Sequence, residues 1–150
     1  NIDGWVQLGI IYDHLKLIDS SDVSYENALK IDPDNAVINN NYAYSLSVRG
    51  KQLDRALSMA ETAVKIQPEN VSYRDTYAWV HYQLGNYKEA LDNLLKATGN
   101  ADVSATILEH LGDAYLKNGS AEQAIAAYKK ALEKSPERHS LLERLKELKK

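Results

Sequence analysis

The chain contains no cysteine and no phenylalanine, a single methionine, and only three prolines in 150 residues. Without cysteine there are no disulfides, no thiolate-ligated metals and no cysteine nucleophile, and the redox compartment stays open. Scarce proline leaves long segments free to be helical. No apolar run reaches membrane-spanning length, and no window alternates strictly between apolar and polar residues as a half-buried strand would. A glycine-rich phosphate loop, a G-x-S-x-G turn and a basic stripe interleaved with aromatics are all missing. An enzyme is therefore not expected, nor is a cofactor. The formal net charge of −3 gives no electrostatic footprint for nucleic acid or an anionic membrane. Residues 1–75 hold 11 acids and 7 bases, residues 76–150 hold 10 and 11, the difference coming from the lysine-rich end. Asn1 is not an initiator methionine, so the chain is expected to be a piece of something longer, and compartment is not fixed.

What the chain does have is ten tyrosines, two tryptophans and many alanines, arranged periodically. The stretch Leu108 to Pro136 is the clearest unit. Leu108, Leu111 and Tyr115 fall on one helical stripe, Ala124, Tyr128 and Ala131 on another, and Gly119 separates them. Ser120 followed by Gln123 has the form of a capping box at the start of the second helix. Gly112 is expected to let the second helix approach the backbone of the first. The unit recurs. The small residue of the first helix returns as Gly9, Ala43, Ala78 and Gly112, and the alanine of the second as Ala28, Ala63, Ala97 and Ala131, at spacings of 34 or 35. The closing proline returns as Pro33, Pro68 and Pro136, with Asp102 in the remaining place.

Trp5, Leu8-Gly9, Tyr12, Tyr25, Ala28 and Pro33, together with the Gly112 unit, resemble the tetratricopeptide repeat. Asn40-Asn41-Tyr42-Ala43-Tyr44, Thr76-Tyr77-Ala78-Trp79 and Glu109-His110-Leu111-Gly112-Asp113 further resemble longer bacterial proteins of that kind. The resemblance implies an all-α, right-handed superhelix of four helical hairpins, near residues 2–35, 36–70, 71–104 and 105–138, in one array. A capping helix at 138–149 would follow, with Leu141, Leu142, Leu145 and Leu148 on its apolar stripe. Helices are expected near 4–16, 20–31, 36–48, 53–66, 71–84, 87–98, 104–117, 121–134 and 138–149.

Some copies depart from the pattern. Copy one has Lys16-Leu17-Ile18-Asp19 where a turn glycine is usual, and Ser21 where alanine is usual. Copy two carries one extra residue between Gly50 and Ala56, expected within Lys51 to Leu53. Copy three ends on Gly99-Asn100, read as a left-handed stop.

In this family the first helix of each pair lines the concave groove. The groove-facing positions are then Val6, Gln7, Ile10 and Asp13; Asn40, Asn41, Tyr44 and Ser47; Asp75, Thr76, Trp79 and Tyr82; and Glu109, His110, Asp113 and Leu116. Acids and amides flank aromatics there, with no lysine or arginine. The candidate partner-binding residues are Asn40, Asn41, Tyr44, Asp75, Trp79, Tyr82, Glu109, His110 and Asp113. Such a surface disfavours an acidic C-terminal tail and suits a peptide that brings Lys or Arg to the acids and an apolar residue to the rings.

A second use stays open at this stage. Tyr44 and Trp79 could pack between neighbouring first helices, Asn39-Asn40-Asn41 could belong to helix-start chemistry, and Glu109, His110 and Asp113 could form an ordinary solvated face. A metal site on those three lacks further ligands at matching spacing. His81 is expected to be a packed core histidine, and His14 and His139 surface residues. The expected partner is a protein or peptide; alternatively the chain is a structural spacer, or self-associates through its uncapped first hairpin, whose outer face carries Trp5 and Ile11.

Overall fold

The computed structural model describes residues 1–99 and 102–150. Among these residues all regular structure is helical: α1 (Ile2–His14), α2 (Ile18–Ile31), α3 (Ala36–Val48), α4 (Leu53–Ile66), α5 (Val71–Gln83), α6 (Tyr87–Thr98), α7 (Ala105–Lys117), α8 (Ala121–Lys134) and α9 (His139–Leu148). None is long and apolar enough to cross a membrane. Consecutive helices pair tightly as α1 with α2, α3 with α4, α5 with α6 and α7 with α8. First helices also touch one another, α1 on α3, α3 on α5 and α5 on α7, whereas second helices do not. The array therefore bends with its first helices inside, as an all-α helical-repeat superhelix.

Two kinds of joint set this geometry. Within a pair, the chain reverses through a left-handed residue: Lys16, Gly50, Gly85 and Gly119 have φ of 59°, 64°, 84° and 80°. Each is followed by a main-chain bond five residues back, such as Leu17 N–H to Tyr12 O at 2.9 Å and Ser120 N–H to Tyr115 O at 2.9 Å. Lys16 thus does the turn glycine's work despite its Cβ, at a cost of about 1 kcal/mol. The extra residue of copy two is accommodated at Gln52, itself left-handed at φ 45°. Between pairs, the first helices begin on side-chain caps: Asn35, Asn70 and Ser104 accept the N–H groups of Ile38, Tyr73 and Ile107 at 3.1–3.3 Å. Asn39 Nδ2 ties down the preceding loop through Pro33 O at 2.8 Å, and Arg74 repeats this on Pro68 O at 2.8 Å. Asn39 does belong to helix-start chemistry.

Three local expectations are corrected. Ser120 caps α8 by position only, because its side chain makes no capping bond and the turn is closed by the main chain. Gly99 has φ 3° and ψ −112°, outside the left-handed region; α6 ends instead on Gly99 N–H to Leu95 O at 3.0 Å, and Asn100 lies outside the described residues. In α9 Leu141 and Leu145 are buried and Leu148 is half-buried, while Leu142 is 40% exposed, one position round the helix.

The core falls into two clusters. Tyr25, Ile38, Tyr42, Leu46, Met59 and Val80 centre one; Ala78, Leu94, Leu111, Tyr128, Leu141 and Leu145 belong to the other. Trp5 packs against the first cluster and is half-buried. At the two ends of the array a glycine faces a tyrosine. A Cβ on Gly9 would lie 2.5 Å from the Tyr25 ring, and one on Gly112 would lie 2.3 Å from Tyr128. The middle copies place Ala43 and Ala78 at the glycine position, with Ala60 and Leu94 at the tyrosine position.

Candidate functional site

All nine candidate residues stand on the inner helices: Asn40, Asn41 and Tyr44 on α3, Asp75, Trp79 and Tyr82 on α5, Glu109, His110 and Asp113 on α7. Helical spacing of three and four puts each trio on one stripe, and the contacts between α3, α5 and α7 bring the stripes side by side. The centre is a row of rings. Trp79 stacks on Tyr82 at 4.6 Å and 7°, and on His110 at 4.0 Å and 15°; Tyr44 lies 6.4 Å from His110. Tyr44, Trp79 and Tyr82 are half-buried. Burial raises the phenol pKa of Tyr44 and Tyr82, so both are neutral rings with a hydroxyl to offer.

The polar residues are less free than their sequence positions suggest. His110 is 6% exposed, not on a solvated face, and its Nδ1 is 2.9 Å from Asp75 Oδ1, itself buried. Burial of two polar groups is tolerated because each satisfies the other. Glu109 meets Arg138 at 2.5 Å, and Arg138 also donates to Thr106 Oγ1 at 2.7 Å. Asp113 accepts from Tyr128 OH at 2.5 Å and from Arg144 at 2.5 Å. Burial pushes the Asp113 carboxyl upward, against the downward pull of Tyr128 and Arg144. Groove positions carry no cation of their own, but Arg138 and Arg144 arrive from the loop before α9 and from α9 itself. Asn40 Nδ2 donates to Asn41 Oδ1 at 3.0 Å, and Asn40 Oδ1 is buried without a partner among the described residues.

His81 is a core histidine, as its position implies. It sits edge-on to Tyr77 at 4.6 Å, with Asn86 Nδ2 3.3 Å from Nδ1 and no partner at Nε2 among the described residues. Burial depresses its pKa below the ordinary 6.5, while Glu89 and Glu61 pull weakly the other way. A histidine held neutral in the fold takes up a proton more readily when unfolded. Its contribution is intact above about pH 6.5 and is lost as pH falls toward its folded-state pKa. We expect His81→Leu, which installs the residue found at the equivalent Leu46, to flatten the stability profile between about pH 7 and pH 5. Urea midpoints across that range test it. Parallel profiles for parent and variant would exclude His81 as the source.

One part of the inner face was not singled out from sequence as a site. A cavity of about 590 Å³ opens between α1 and α3, lined by Ile10, Asp13, Ile18, Tyr44, Ser45 and Val48 among others. Ile10 and Asp13 were recognisable as groove positions. Ile18, Ser45 and Val48 were not, because they lie off the groove stripe. The available signal was a comparison of copies: α5 has Val80 and Leu84 where α3 has Ser45 and Arg49.

Comparison with known proteins is consistent with this geometry. Tetratricopeptide repeat profiles match residues 2–35, 24–58 and 76–139. The protein is a helical-repeat scaffold in class. It belongs to the tetratricopeptide repeat family. Over 82 residues it is 34% identical to the photosystem I assembly protein Ycf3 of Synechococcus sp. (strain CC9605), a match covering 48% of this chain and 47% of that protein. This chain thus matches about half the length of that relative. PilF of Pseudomonas aeruginosa superposes with a TM-score of 0.83 at 23% identity, covering 98% of this chain and 67% of PilF. A thermophilic TPR protein of Thermus thermophilus superposes with 0.78 at 21% identity, covering 99% and 81%. PilW, a type IV pilus biogenesis factor, gives 0.78 at 23% identity, covering 89% and 62%. At these identities the structures speak for the fold alone.

Proposed function

We propose that this chain is a non-catalytic interaction module whose concave face holds a peptide or partner surface. The observation that carries the reading is the row of half-buried rings, Tyr44, Trp79 and Tyr82, on the inside of the superhelix. Aromatic rings held rigid at the centre of a concave surface are what an apolar anchor needs. A scaffold role also accords with the name of its relative, an assembly protein. The partner is an apolar-anchored peptide carrying a basic residue rather than an acidic tail. Arg138 and Arg144 are engaged by Glu109 and Asp113, so neither arginine is free to hold a ligand carboxylate.

Peptide display against the folded chain, run beside Tyr44→Ala and Trp79→Ala variants verified by circular dichroism, tests this. Tyr44→Ala is the cleaner variant, because Trp79 also stacks on His110. Loss of about 2 kcal/mol in affinity is expected on Tyr44→Ala if the ring is a hot spot. If parent and variants recover the same peptides with equal affinity, the groove is not the binding face.

A second reading is self-association through α1 and α2. Ile11 is 48% and Val23 58% exposed, beside a hollow of about 310 Å³ lined by Trp5, Leu8 and Tyr12. On that reading sedimentation shows an oligomer that Ile11→Glu dissociates; a monomeric parent sinks it.

A further inference from the structure

The two ends of the array share a motif, and one end lacks its last member. At the C-terminal end Tyr128 lies against Gly112, its hydroxyl donates to Asp113, and Arg144 completes the group. Arg144 Nη1 is 2.5 Å from Asp113 Oδ1, with the guanidinium 5.9 Å from the Tyr128 ring centroid. At the N-terminal end Tyr25 lies against Gly9 and donates to Asp13 Oδ2 at 2.9 Å. Ser21 and Ser45 donate to Asp13 Oδ1 at 2.7 and 3.1 Å. Asp13 has no ion-pair partner among the described residues.

Counting repeats shows what is missing. Arg144 corresponds, at spacings of 34, 34 and 35, to His110, Thr76 and Asn41. Asn41 lines the cavity beside Asp13 but is too short to fill it. Arg49, which lines the same cavity, is bound to Asp22 through two bonds at 2.7 and 3.2 Å, leaving the charge of Asp13 without a cation among the described residues. His14 and Lys16 also border the cavity, and both are exposed to solvent at its rim. Three neutral hydroxyls use three of the roughly four acceptor positions of a carboxylate, so one of Asp13's remains for a cation.

We propose that this cavity takes an arginine side chain of a partner peptide, its guanidinium on Asp13 and its methylene stem along Ile10, Tyr44 and Val48. The assignment rests on the groove reading above and names the basic residue's seat. A planar guanidinium suits it better than an ammonium, because it stacks on tyrosine while donating sideways to the acid, as Arg144 does beside Tyr128.

The test uses N-acetyl-arginine amide as probe, with the citrulline and lysine amides as neutral and ammonium counterparts, read by amide chemical-shift changes. The arginine probe is expected to move Ile10, Ser45 and Val48, and to bind at least about tenfold more tightly than the citrulline probe. The shifts are expected to vanish in Asp13→Asn. In Asn41→Arg the protein's own arginine is expected to occupy the cavity, blocking the probe and raising the melting temperature. Equal response to arginine and citrulline, equal response to arginine and lysine, persistence in Asp13→Asn, or an Asn41→Arg protein that neither gains stability nor blocks the probe would each overturn the proposal. Peptides that the display selection still recovers in a Tyr44-dependent way would then leave the groove reading standing without it.

Discussion

Gly112→Ala is expected to destabilise the protein by about 2 kcal/mol. Overpacking a well-filled site costs up to about 3 kcal/mol, and replacing a helical glycine by alanine returns about 1 kcal/mol. The first effect wins because the new Cβ would meet three atoms of the Tyr128 ring at 2.3, 2.6 and 2.9 Å. Tyr128 is fully buried, and its hydroxyl is held by Asp113, so the ring has nowhere to swing. The protein also contains the remedy. In copy three Ala78 and Leu94 occupy the same two positions, both fully buried. In a Tyr128→Leu background, Gly112→Ala is therefore expected to be neutral or mildly stabilising. Urea unfolding of the four proteins of this cycle measures the coupling; an equal cost of the glycine change in both backgrounds would falsify the account.

His110→Leu is the second large effect, expected to cost about 3 kcal/mol because it strands a buried carboxylate and removes a stacked ring. Asp75 keeps its burial but loses its partner at 2.9 Å, and Trp79 loses the ring stacked on it at 4.0 Å. Replacing both members of the pair is expected to recover part of that loss, since no polar group is then left unmet. A single His110→Leu variant within about 0.5 kcal/mol of the parent would show that Asp75 finds water or another donor.

The repeat was legible because it is one-dimensional. A stripe of small and apolar residues with a period of 34 or 35 specifies helix pairs and their order, and the Gly112 contact followed from the absence of a side chain there. Which positions face the groove came from the family resemblance applied to that period. What period does not carry is which charges meet. Arg138 reaches Glu109 and Arg144 reaches Asp113 across 29 and 31 residues, from the segment that follows the fourth helix pair. The burial of His110 was hidden for the same reason, since its partner lies 35 residues away on α5. Ser120 fails as a capping side chain because turn geometry, not residue type, decides where its hydroxyl points.

The division of the core between two clusters gives α5 a special standing. Val80 belongs to the cluster toward the N-terminus and Ala78 to the cluster toward the C-terminus, two residues apart on one helix. Neighbouring pairs support one another only locally, so either end can open while α5 stays anchored by the other. The helix that carries Trp79 is thus the keystone of the arch. The ring row straddles the joint between the two clusters, so loosening of either cluster leaves it supported by the other.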